Sequence, residues 1–119
     1  LVLPNPDLIF PRGERSYGLT AGSIALALEA AMALRYPDGK HPRFVPLGKP
    51  HAPIFEEALR RSGTRKMVMI GDQLSTDIKG ARAFDIDSAL VPTGLTHIGS
   101  GGLGDIYPTY VLPTLVRGR

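Results

Sequence analysis

Two acids and one lysine are the residues of this sequence best placed to do chemistry. The stretch "MVMIGDQLSTDIKGARAFDID", Met67 to Asp87, reads as an apolar strand that stops at Gly71-Asp72 and turns into a helix. A second acid, Asp77, follows five residues after the first. In an open parallel sheet, ligands collect outside the carboxyl ends of the strands, and Asp72 stands at such an end. Gly71 is expected to let the backbone turn sharply there. A single carboxylate with room for waters is a usual way to hold Mg²⁺, with substrate phosphate completing the coordination. Asp77 falls in the first turn of the expected helix. The helix dipole favours an acid there by about 0.3–1 kcal/mol, whether or not it has a further task.

Lys49, in "LGKPHAPIF", is the third residue. It lies just before a helix start, where the dipole disfavours a cation, and Pro50 keeps it out of the α region. A lysine in that place makes sense if an anion binds at the helix end. Lys49 and Asp72 together point to a phosphate-plus-metal pairing.

Other motifs do not hold up. "GSGGLG", Gly99 to Gly104, has the G-x-G-x-x-G spacing but is followed by Asp105-Ile106-Tyr107-Pro108 rather than a helix, so it lacks the dinucleotide-binding context. Asp85 and Asp87 have D-x-D spacing, yet they come after a helix and before a strand. They belong at the opposite sheet edge from Asp72 and read as a structural turn. His41, His51 and His97 lack metal-ligand spacing, and no Ser/Thr position suggests an acyl-transfer triad.

The elements that must position these residues follow from the pattern of the chain. With 119 residues it has the size of one ordinary domain, and with no Trp and no Cys it offers no disulfide scaffold, zinc site or thiol nucleophile. A cytoplasmic location is compatible with that usage. No stretch is long and apolar enough to span a bilayer, and no signal peptide is visible. A net charge of +3 without a basic stripe argues against nucleic acid as a partner and suits a small anionic molecule.

"LVL" followed by "PNPD" is expected to be a short strand and an Asx-type turn. "PRGERSYG" is expected to be a loop. A helix after Thr20 should turn Ile24, Leu28 and Met32 to one face and end at Pro37-Asp38-Gly39. The Pro-rich segment from Tyr36 to Pro53 marks a boundary, placed at 46/47. The helix "IFEEALRRSG" should bury Ile54, Phe55, Ala58 and Leu59, pair Glu56 with Arg60 and Glu57 with Arg61, and close on Gly63. "MVMI", too apolar to alternate, is expected to be a strand covered on both faces. Thr76 or Ser75 should cap the helix "DIKGARAF", with Ile78, Ala81 and Phe84 inward. "SALV" and "TYVL" complete an α/β order with a mostly parallel sheet.

Together, "LGKPHAPIFEEALRRSG", "MVMIGDQLSTDIKGARAF" and "ALVPTGLT" resemble the haloacid dehalogenase-like (HAD) superfamily. The nearest resemblance is to its branch of p-nitrophenyl-phosphatase-like and sugar- or nucleotide-phosphate phosphatases, which carry a large cap inserted mid-chain. "PNPD" and "GLTAGSIALALEAA" are similar to that branch's segments near the end of the cap, so the resemblance reaches to about Thr96.

The resemblance implies an α/β fold: the C-terminal half of a Rossmann-like HAD core, with a parallel sheet and flanking helices, plus the end of an α/β cap. Residues 1–46 would be the cap remainder and 47–119 the core part. It implies Lys49 as the lysine that neutralises the phosphoryl group, Asp72 as the Mg²⁺ ligand, and Asp77 as an acid supporting the site through water or Lys49. Asn5 and Asp7 would lie near the substrate. The activity implied is Mg²⁺-dependent hydrolysis of a small phosphorylated metabolite through an aspartyl-phosphate. The attacking aspartate belongs to a D-x-D-G segment that this sequence lacks. That segment and the Ser/Thr phosphate-binding strand are expected before Leu1, so the 119 residues alone would be inactive and would expose apolar edges. Asp85 stands where the family usually has Gly, a place suited to a residue that tolerates the left-handed conformation. Pro92 in "LVPTG" is a second departure.

A non-catalytic phosphate- or Mg²⁺-binding relative with a regulatory role is the alternative. A phospho-receiver module is disfavoured because Lys49 precedes Asp72 along the chain. Substrate identity and a homo-oligomeric state are left open.

Overall fold

The computed structural model describes residues 1–13, 16–92 and 106–116. "GSGGLG", Thr96, His97 and Asp105 lie outside the described residues. The chain divides into two compact units, Leu1–Lys49 and Pro50–Arg119. The border expected at 46/47 thus falls three residues before the division seen.

In the first unit, β1 (Val2–Leu3) pairs in parallel with β4 (Val45–Pro46), in the register Val2 with Val45 and Leu3 with Pro46. The turn between β1 and β2 is Asx-type, as expected: the Asp7 N–H donates to Asn5 Oδ1 at 3.0 Å. The stretch expected to be a loop contributes instead to two antiparallel strands, β2 (Ile9–Gly13) and β3 (Ser16–Leu19). Their signal is hidden in sequence. Pro11 and Gly13 flank a shift of register, and exposure runs along β2 without alternation.

Helix α1 (Ala21–Arg35) starts after Thr20 as expected, but its buried face is not the one expected. Ile24 is 60% exposed and Leu28 50%, whereas Gly22 and Ala25 are buried. Nearly every position of this helix is apolar, so spacing alone selects no face. The choice is made by close approach. Gly22 lies against the Pro6 and Asp7 carbonyls, where a side chain would collide, and its N–H donates to Asp7 O at 3.2 Å. The Thr20 hydroxyl donates to the same Asp7 carbonyl. At the other end of the unit, Glu29 Oε1 accepts the Phe44 N–H at 2.7 Å and so ties the Pro-rich segment to α1.

The second unit holds a three-stranded sheet. Its strands β5 (Val68–Gly71), β6 (Asp87–Leu90) and β7 (Tyr110–Val111) are parallel, in that order. Helices α2 (Ala52–Ser62) and α3 (Lys79–Ala83) carry the buried Phe55 and Ala81, joined in the core by Ile78, Ala89, Leu90 and Val91. Phe55 stacks on Phe84 at 5.6 Å, and Gly80 lies so close beneath Phe55 that an added Cβ would sit 2.6 Å from its ring. Arg65 caps this cluster, lying over the Phe84 ring and donating to the Phe84 carbonyl at 2.9 Å. Of the residues expected to be buried on α2, Ile54 and Ala58 are exposed.

Gly63 closes α2 in the left-handed conformation, φ 69°, with its N–H on Leu59 O, as its position predicts. The expected Glu56–Arg60 pair is not the one Arg60 makes. Glu57 accepts from both Arg60 and Arg61, at 2.7 and 2.6 Å, which lowers its carboxyl pKa to about 2. Strand β5 also departs from expectation: it alternates, with Val68 49% and Ile70 46% exposed, so one face of this strand is open among the described residues. No helix among the described residues is long and apolar enough to cross a membrane.

Asp85 follows α3 at φ 59°, among the described residues the only one besides glycine in the left-handed region. It occupies the position after the helix end that glycine usually fills, and the Ile86 N–H closes the turn on Ala81 O at 3.1 Å. A Cβ there is strained, so Asp85→Gly is expected to stabilise the second unit by about 0.5–1 kcal/mol. A rise in the urea midpoint would show it; an unchanged or lower midpoint would mean that the Asp85 side chain offsets its own strain.

Candidate active site

Asp72 is the first residue after β5, at the carboxyl end of a parallel strand. It is half-buried. Asp87 opens β6 opposite Val68, at the start of β5, while Leu90 lies opposite Gly71 at its end. Four residues of strand, about 13 Å, therefore separate the D-x-D acids from Asp72 along the sheet. The broad depression of about 1000 Å³ lined by Arg65, Lys66, Asp85 and Asp87 sits at that other edge and includes neither Asp72 nor Asp77.

Asp77 is 1% exposed, and its place differs from a simple helix start. The helix expected from Asp77 begins earlier, as a π-turn over Leu74–Ile78, and neither Ser75 nor Thr76 caps it. Thr76 Oγ1 instead reaches Gln73 Oε1 at 3.4 Å. The Gln73 carbonyl accepts from the N–H groups of both Asp77 and Ile78, at 3.0 and 3.3 Å, and the second of these bonds is the wider i to i+5 bond. The wide turn brings the Asp77 side chain back over the end of β5. There its Oδ2 accepts the N–H groups of Asp72 and Gln73, both at 3.1 Å. The carboxylate satisfies two loop donors that the sheet leaves over, and so holds the segment from which Asp72 projects.

Gly71 serves the turn through space rather than through an unusual backbone angle. It is not in the left-handed region. Its value is space: a Cβ at residue 71 would run into the Asp77 carboxyl. The signal was present, a glycine before one acid with another acid five residues on, but it reads equally as a turn.

Lys49 is half-buried and ends the first unit, two residues before the N-cap of α2, His51. The residue before it, Gly48, is buried against the Pro4 carbonyl and the Pro6 ring, where a side chain would have no room. The turn bearing Asn5 and Asp7 is thus packed on the residue next to Lys49. Both turn residues also have structural work, Asn5 through its Oδ1 and Asp7 through its carbonyl. The structure brings Asp72 and Asp77 together in the second unit, and the Asn5–Asp7 turn beside Gly48 in the first. Among the described residues, no three His, Asp or Glu side chains gather into a group that could hold a metal by themselves.

A family model described as HAD-hydrolase-like matches residues 46–117, more than half of the chain. This chain belongs to the HAD-like hydrolases. Within them it is similar to the p-nitrophenyl-phosphatase-like branch. D-Glycerol 3-phosphate phosphatase of Mycobacterium tuberculosis is 41% identical over 63 residues, 53% of this chain and 17% of that protein. The crystal structure of a double-mutant thermostable NPPase from Geobacillus stearothermophilus matches 93% of this chain and 40% of its own, with a TM-score of 0.71 and 29% identity. A glycerol phosphate phosphatase from Mycobacterium tuberculosis, solved in complex with calcium, matches 80% of this chain and 26% of its own, with a TM-score of 0.64 and 33% identity. This HAD-like chain therefore spans well under half the length of each of these relatives, and the match in fold includes both of its units.

Proposed function

We propose that the complete protein is a Mg²⁺-dependent phosphatase that hydrolyses a small phosphorylated metabolite through an aspartyl-phosphate. The observation that carries this reading is Asp72 at the carboxyl end of β5, its backbone held by the buried Asp77, in a chain whose relatives are phosphatases. Asp72 offers a hard oxygen donor. A site with one protein carboxylate suits Mg²⁺, which keeps waters and takes further oxygens from phosphate. The donor set therefore fits the metal, and the calcium complex of one relative supports a divalent cation in this fold. When bound, the ion would offset negative charge on the phosphoryl oxygens.

In this reading residues 1–46 are the end of the cap and 47–119 belong to the core. Lys49 neutralises the phosphoryl group from the helix side, Asp77 acts through the backbone of Asp72, and Asn5 and Asp7 face the substrate. The attacking carboxylate comes from a D-x-D-G segment outside these 119 residues. Its oxygen bonds to phosphorus as the ester oxygen leaves, and water then cleaves the new acyl phosphate. The full-length protein should hydrolyse an aryl phosphate and lose that turnover on chelation of divalent metal. Turnover indifferent to chelator would overturn the metal reading, and Mg²⁺ or phosphate binding without turnover would favour a non-catalytic binding domain.

A further inference from the structure

We infer that Gly71 is a positioning residue for Asp72: the missing side chain at 71 admits the Asp77 carboxyl beneath the strand end, and that carboxyl fixes the backbone from which Asp72 projects. The inference rests on the reading of Asp72 as the metal ligand and adds to it the reason for the glycine. Three observations carry it. An ideal Cβ on Gly71 would collide with the γ-carbon, an oxygen and the β-carbon of Asp77, so no rotation of that carboxyl alone relieves the clash. Residue 71 is outside the left-handed region and is paired in β5 with Leu90, so its backbone would accept alanine. Asp77 in turn cannot withdraw cheaply, because it is buried and accepts the N–H groups of Asp72 and Gln73. Space at 71 and acceptor at 77 are thus one device. Its output is the direction in which the 72 carboxylate points.

The test is Mg²⁺ binding to the full-length protein, measured by calorimetry, for the parent, Gly71→Ala and Asp72→Asn. Gly71→Ala is expected to weaken Mg²⁺ binding about 10-fold or more, as loss of groups that orient a metal ligand commonly does. An affinity within about twofold of the parent, beside a clearly weakened Asp72→Asn, overturns the role assigned to Gly71. If Asp72→Asn itself binds Mg²⁺ like the parent, the metal reading of Asp72 falls instead.

Should Gly71→Ala fail to fold, urea midpoints of Asp77→Gly and of the double variant with Ala at 71 decide the matter. With no carboxyl or β-carbon at 77 to meet, the added methyl should move the midpoint little. A double variant whose midpoint lies well below that of Asp77→Gly alone overturns the inference.

Discussion

Asp72→Asn should lower metal-dependent turnover by about 10²–10³-fold while shifting the unfolding free energy by no more than about 1 kcal/mol. The substitution keeps the shape of the side chain and removes its charge. Asp72 is half-buried at the strand end, and the hydrogen bond that ties it to Asp77 uses its main-chain N–H, which asparagine retains. The loop should therefore keep its form while the hard anionic donor is lost. The measurement is hydrolysis of an aryl phosphate by the full-length protein across a Mg²⁺ titration, with a urea curve alongside. A drop in turnover that tracks a drop in stability would return Asp72 to a structural role. Turnover within a few-fold of the parent would remove it from the site.

Asp77→Ala should act the other way, on stability first. The carboxylate is 1% exposed and accepts two N–H groups at 3.1 Å, so truncation leaves both without their acceptor and opens a void beneath Gly71. Losing two charge-assisted bonds in a buried setting is expected to cost about 3–5 kcal/mol, a large part of the stability of a small domain. Asp77→Asn retains one carbonyl oxygen for the same donors and should cost about 1–2 kcal/mol. Urea midpoints of the pair, compared with the parent, separate the two variants. If alanine costs no more than asparagine, the two hydrogen bonds are not what holds the loop.

The parts of the fold that could be read from the sequence are those where one residue type answers one local demand. Gly63 ends α2 in the left-handed conformation, Asn5 makes its Asx turn, and Asp85 takes the φ of 59° that its replacement of a glycine implies. The separation of Asp85 and Asp87 from Asp72 was also legible, because strand polarity fixes which edge each acid reaches. What could not be read depends on close approach or on partners in space. The buried face of α1 is chosen by Gly22 and Ala25 where the backbone of Pro6 and Asp7 comes near, and a uniformly apolar helix gives no hint of that. Exposed Val68 and Ile70 show that a run of apolar residues does not by itself tell which faces of a strand are covered. The π-turn has no residue signature of its own, so the sequence pattern points to a later helix start than the one the chain adopts.

The π-turn sets a ruler on the sequence. An α-turn advances about 100° per residue, so deleting one residue between Asp72 and Asp77 would swing the second side chain by roughly a quarter of a turn, away from the strand end. Insertions and deletions, usually well tolerated in connecting segments, should therefore be rejected between these two acids even where every substitution of Ser75 is accepted. The spacing of the acids is a length that the chain must keep, and it is set by the one extra residue that the wide turn contains.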